Sequence, residues 1–133
     1  MKEPKPYKYY DESELISVVR EGVTMTYFTN VSEATPFTPE DWSAYLHLSE
    51  RTIQRYKKEK RNFDPIHSEK ILEIAMLYAR GRDVFGDENR FDTWLETESV
   101  ALGNSKPKDL LTSSFGIRMV DDELGRIEYG VLA

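Results

Sequence analysis

Thr38–Arg61, TPEDWSAYLHLSERTIQRYKKEKR, spells two short helices joined by a tight turn and ending in unshielded positive charge. Thr38 is a good N-cap residue, Pro39 suits the first helical position, and Glu40 and Asp41 place negative charge where the helix dipole favours it. Trp42, Tyr45 and Leu46, at i, i+3 and i+4, give this first helix one apolar face, and His47-Leu48 leads to a second N-cap, Ser49. The helix that follows buries Ile53 and Tyr56 and so turns Arg51, Thr52, Gln54, Arg55 and Lys58 outward. Arg and Gln side chains pair bidentately with base edges in a major groove, while Lys57, Lys58, Lys60 and Arg61 can neutralise phosphates. This is the layout of a helix-turn-helix. Taken alone, RYKKEKR could be a solvated helix end whose cations complement the dipole; the capped helix and turn in front of it favour nucleic acid.

Outward from this stretch, the composition sets limits. With 133 residues and 39% hydrophobic content, the chain can build one or two small domains with real cores. No apolar run approaches a membrane span, and MKEPKPYKYY at the N-terminus lacks the apolar centre of a signal peptide, so a cytoplasmic protein is expected. The absence of cysteine excludes disulfides, thiolate catalysis and Cys-based zinc sites. His47 and His67 are the only histidines and have no ligand-pair spacing, so neither a metal nor another cofactor is expected. Charges balance over residues 1–82, and the net charge of −6 therefore lies entirely in residues 83–133. That polarity suggests two jobs, one of them not nucleic acid.

The remaining patterns are helical. Residues 1–11 form a Pro-, Lys- and Tyr-rich arm without periodicity, and Ser13–Glu21 reads as a short helix with Leu15, Ile16 and Val19 on one side, stopped by Gly22. Val23–Val31 fits a strand by composition and a helix by spacing; with no second strand to pair, helix is expected. Ile71, Ile74, Ala75, Tyr78 and Ala79 give the clearest helical period, and Leu72 and Met76 add a second stripe that either completes a monomer core or meets a second copy. Gly81–Gly86 is the expected boundary between domains at 1–82 and 83–133. Beyond it, a helix around Asn89–Glu96 buries Phe91, Trp94 and Leu95, a brief helix runs from Lys106 to near Phe115-Gly116, and a final helix carries Ile117, Val120, Leu124 and Ile127. Gly125 inside that last helix weakens it by about 1 kcal/mol relative to Ala, for no reason visible in the sequence. Gly130 can end the helix, leaving Val131 and Leu132 to fold back as a capping contact, to fray, or to enter a cleft on another protein. Ser114, His67 and Asp109 are the residue types of a hydrolytic triad, but no nucleophile elbow or oxyanion loop accompanies them, and no enzyme is expected.

Together these stretches resemble the Xre/MbcA/ParS-like antitoxins of bacterial toxin-antitoxin pairs, over most of the chain. The specific part is C-terminal: Trp94-Leu95, Leu102-Gly103, Pro107 with Asp109-Leu110-Leu111, Gly116, Val120, and Leu124 followed by Arg126-Ile127-Glu128 and Gly130. Ser49-Glu50-Arg51-Thr52, Gln54-Arg55 and Ser68-Glu69 support it from the N-terminal side. The chain departs from the family pattern at Glu98-Ser99, Asn104 and Lys70.

The resemblance implies an all-α homodimer, with a helix-turn-helix region that binds its own promoter as a repressor and a small helical domain that neutralises a RES-domain, NAD-degrading toxin. It implies that the last helix and the tail cover the mouth of the toxin's active site, with DNA contact at Arg51, Thr52, Gln54, Arg55, Lys57 and Lys58, and toxin contact at Arg126, Glu128, Tyr129, Gly130, Val131, Leu132 and Ala133. The alternative is a stand-alone helix-turn-helix regulator whose C-terminal part dimerises or senses a ligand.

Overall fold

The computed structural model describes residues 12–130; the arm at 1–11 and the tail residues Val131, Leu132 and Ala133 lie outside the described residues. The described chain is all-helical, with no strand. The helices are α1 (Glu12–Glu21), α2 (Met25–Ala34), α3 (Pro39–Leu46), α4 (Glu50–Glu59), α5 (Pro65–Phe85), α6 (Glu88–Leu95) and α7 (Ser114–Gly130), with 3-10 turns at Val100–Leu102 and Pro107–Thr112 before α7. The chain divides into two compact units between Met76 and Leu77, inside α5. Among the described residues, no helix is long and apolar enough to cross a membrane, and no cluster of three or more His, Asp or Glu side chains could hold a metal ion.

The first unit is built around aromatic rings. Phe28 meets Trp42 edge-on at 5.1 Å and Phe63 at 5.1 Å, while Phe37 stands edge-on to Trp42 at 5.8 Å and to Tyr45 at 5.3 Å. Such pairs add about 0.5–1.5 kcal/mol each beyond the area they bury. α2 starts later than its apolar pattern suggests because Val23 is used elsewhere. Its carbonyl accepts from Phe63 N at 2.9 Å, and its N–H donates to the buried Ser68 hydroxyl at 2.8 Å, which in turn donates to Phe63 O at 3.2 Å. Thr24 then caps the helix, its hydroxyl accepting from Tyr27 N at 3.0 Å. α1 contributes less than its pattern promised, since Ile16 is 51% exposed and Leu15 and Val19 are only half-buried. Leu72 is buried and Met76 half-buried, so little of the second stripe on α5 remains open to another copy.

In the second unit, Phe91, Leu95, Leu102, Leu111, Val120 and Leu124 are buried. Within the expected boundary stretch Gly81–Gly86, α5 runs on through Phe85 and closes at Gly86. Gly81 stands inside the helix because of packing. A Cβ on Gly81 would lie 2.0 Å from Phe91 Cζ, so the missing side chain lets that ring sit against the helix backbone. Trp94, expected in the core, is only half-buried and lies against Phe85 and Phe91, with centroids at 5.5 and 5.9 Å. The brief helix expected from Lys106 is a 3-10 turn, and Ile127 at the far end of α7 is half-buried.

Candidate nucleic-acid and partner surfaces

The α3–turn–α4 hairpin is fixed by local chemistry. Thr38 Oγ1 accepts from Asp41 N and Asp41 Oδ2 accepts from Thr38 N, both at 3.0 Å, a complete capping box at the start of α3. His47 then adopts the left-handed conformation (φ 55°, ψ 39°), Leu48 N donates to Ser43 O at 3.2 Å, and Ser43 Oγ donates to Leu48 O at 2.6 Å. A left-handed residue is what reverses the chain here, and histidine supplies it where glycine would be the usual choice. Ser49 caps α4, its hydroxyl accepting from Thr52 N at 3.0 Å and donating to Thr52 Oγ1 at 2.9 Å.

This frame orients the residues expected to meet DNA. Ile53 and Tyr56 are buried, and Arg51, Gln54, Arg55, Lys57 and Lys58 are exposed. At about 100° per residue, Arg51, Gln54, Arg55 and Lys58 share one outward face, and Lys57 falls on its flank. Thr52 is half-buried and its hydroxyl is engaged by Ser49, which ties it to the cap. Gln54 and Lys57 also border a cavity of about 160 Å³ between α2, α3 and α4, beside Trp42, whose buried indole N–H lacks a hydrogen-bond partner among the described residues. Past the end of α4, Arg61 lies 4.3 Å from the centroid of the Tyr56 ring and pairs with Asp64 at 3.4 Å, so much of its charge is used within the chain.

Of the residues expected to meet a partner protein, Arg126, Glu128, Tyr129 and Gly130 lie at the end of α7. Tyr129 is 68% exposed, and Arg126 and Gly130 are exposed. Glu128 has a second role that the sequence does not reveal. Arg80 on α5 reaches Asp121 Oδ1 at 2.6 Å and Glu128 Oε1 at 3.6 Å, spanning i and i+7 on α7. Gly125 lies between them at i+4, and a Cβ there would come within 3.3 Å of Arg80 Nη2. An alanine there would ask the end of the Arg80 side chain to give by a few tenths of an ångström. Burial works against the charge on Arg80, but the hydrogen bond and charge of Asp121, joined by Glu128, outweigh it and raise the guanidinium pKa further. Arg126 pairs with Glu123 at 2.7 Å on its own helix.

Comparison with known proteins matches both regions. Residues 14–76 match the antitoxin Xre-like helix-turn-helix domain, and residues 80–130 match the antitoxin Xre/MbcA/ParS C-terminal toxin-binding domain. An antitoxin Xre of Yersinia enterocolitica is 31% identical over 87 residues, covering 65% of this chain and 59% of that protein. An antitoxin Xre of Photorhabdus laumondii is 23% identical over 120 residues, covering 90% and 81% respectively. A chain in the crystal structure of the Mycobacterium tuberculosis MbcT-MbcA toxin-antitoxin complex superposes with a TM-score of 0.59 at 17% identity, over 80% of this chain and 94% of that one, which is a likeness of fold.

Proposed function

The chain belongs to the Xre/MbcA/ParS family of antitoxins, and on that footing we propose that it neutralises a RES-domain, NAD-degrading toxin and represses its own promoter. The observation that carries this proposal is the pairing, in one chain, of a region matching a helix-turn-helix domain with a region matching a toxin-binding domain. In this proposal α4 enters the major groove of operator DNA. Arg51, Gln54 and Arg55 read base edges, while Lys57 and Lys58 contact phosphates and Thr52 holds the N-terminal turn in place. A homodimer places two such helices on two half-sites.

The toxin is met by residues 83–133. Arg126, Tyr129 and Gly130 lead to Val131, Leu132 and Ala133, which stopper the mouth of the toxin's active site. Glu128 serves as an anchor through Arg80. The acidic second part of the chain suits a site that takes an anionic dinucleotide, and such complementarity speeds encounter more than it deepens affinity. The chain acts by binding, without chemistry of its own and without a cofactor, in the cytoplasm where toxin and NAD are found. The test is to express the adjacent open reading frame alone and then together with this chain. Growth arrest relieved by co-expression is the expected result; no arrest, or arrest that persists, removes the antitoxin function.

A further inference from the structure

The groove between α2, α3 and α4 has an apolar floor and a charged rim. Met25, Phe28, Trp42 and Ile53 make the floor and are buried. Glu33 on α2 and Glu50, Gln54 and Lys57 on α4 make the rim and are exposed. Trp42 is 2% exposed and is held by the rings of Phe28, Phe37 and Tyr45 at 5.1, 5.8 and 5.8 Å. Its indole N–H nevertheless has no hydrogen-bond partner among the described residues. A buried donor left without an acceptor is costly and rare. The groove beside it measures about 160 Å³, and a cavity of about 150 Å³ is enough for one benzene ring. A donor fixed at an apolar floor, with two carboxylates and one ammonium at the rim, is the layout of a small-molecule site.

We propose that this groove is an effector site for a single-ring heteroaromatic amide or amine, and that its occupancy weakens operator binding. Each part of the ligand answers one feature of the groove. The ring fills the apolar floor between Phe28, Trp42 and Ile53. A carbonyl oxygen or ring nitrogen accepts from the Trp42 indole N–H. The amino group donates to Glu33 or Glu50, whose negative charges outnumber the positive charge of Lys57 at the rim. The same balance disfavours an anionic ligand. The link to DNA rests on the operator-binding function proposed above. Gln54 and Lys57 belong both to the rim and to the residues assigned there to base and phosphate contact, so a ligand that engages them withdraws them from the duplex. By linkage, operator DNA weakens ligand binding by the same factor.

The experiment follows the indole N–H resonances of Trp42 and Trp94 in the isotope-labelled full chain as nicotinamide is added, with nicotinate as the anionic control. Trp94 lies in the second compact unit and reports non-specific effects, and Trp94→Phe assigns the two signals. The Trp42 signal should shift and saturate with a Kd of about 0.1–3 mM, the range open to so small a ligand, while the Trp94 signal stays in place. Nicotinate should bind about tenfold more weakly. Glu33→Gln/Glu50→Gln changes two exposed side chains and should keep the parental melting temperature, yet weaken nicotinamide about tenfold. A Trp42 signal that ignores nicotinamide or moves in step with Trp94, nicotinate binding as tightly as the amide, or parental affinity in the double variant overturns the site. On a fragment of the chain's own promoter, saturating nicotinamide should raise the operator Kd about fivefold or more. Nicotinamide binding with unchanged operator affinity overturns the coupling. No operator binding even without nicotinamide removes the DNA function and the coupling with it, while the resonance titration decides the site on its own.

Discussion

Replacing Gly81 with alanine tests the packing of the second unit, because two opposing effects of known size meet there. In a helix interior, Gly→Ala is favourable by about 1 kcal/mol. Here the new Cβ would stand 2.0, 2.3 and 2.3 Å from three atoms of the Phe91 ring, far inside contact distance. The ring has nowhere to retreat. Phe91 is fully buried, with Tyr78, Phe85 and Trp94 rings at 5.3, 5.5 and 5.9 Å. Overpacking of this kind costs about 1–3 kcal/mol and occasionally more, and so severe a clash belongs at the upper end. The net expectation is a loss of roughly 1–2 kcal/mol, read as a lower midpoint in urea at an unchanged m-value. Adding Phe91→Leu, which frees space at the same point, should recover part of the loss, with a coupling of about 1 kcal/mol or more across the double-mutant cycle. If Gly81→Ala proves neutral or stabilising, helix propensity decides the position and the ring is not seated against α5.

Four further expectations follow from the same geometry. Arg55→Ala or Gln54→Ala should each weaken specific operator binding by about 1–3 kcal/mol, whereas Lys58→Ala should chiefly flatten the salt dependence; unchanged binding isotherms for all three would remove α4 from the DNA interface. Truncation after Tyr129 should abolish relief of growth arrest while leaving operator binding intact, and a truncated chain that still protects cells would show that Val131, Leu132 and Ala133 are not the stopper. Arg80→Ala should lower stability by only about 0.5–1 kcal/mol, since its ion pairs with Asp121 and Glu128 are part-exposed and screened; a much larger loss in denaturant titrations would contradict that weighting. The Tyr78 hydroxyl donates to Asp92 at 2.7 Å, and burial followed by that bond pushes its pKa up. A raised folded-state pKa means that its stabilisation is complete below the ordinary tyrosine value of about 10 and is lost as pH climbs above it. Tyr78→Phe should therefore flatten the alkaline limb of stability against pH, and an unaltered limb would place the loss elsewhere.

What the sequence disclosed was chemistry acting over three or four residues. Thr38 with Asp41, Ser49 with Thr52, and the i, i+3, i+4 apolar rows of α3 and α5 all act locally, so the helix-turn-helix could be read before any tertiary contact was known. The features that stayed hidden depend on partners far along the chain. Ser68 reads as an ordinary helix residue until Val23, 45 positions away, is found on its hydroxyl. The packing role of Gly81 is hidden because the ring that needs its bare backbone comes ten residues later. Glu128 reads as free for a partner because Arg80, far earlier in the chain, cannot be seen approaching it.

The most direct measurement is the rate of NAD loss catalysed by the purified toxin from the adjacent gene, followed as the full chain and the chain ending at Tyr129 are titrated in. Stoichiometric inhibition by the full chain, and far weaker inhibition by the shortened one, is the expected result. NAD consumption that continues undiminished at saturating full-length chain would contradict the proposal at its root.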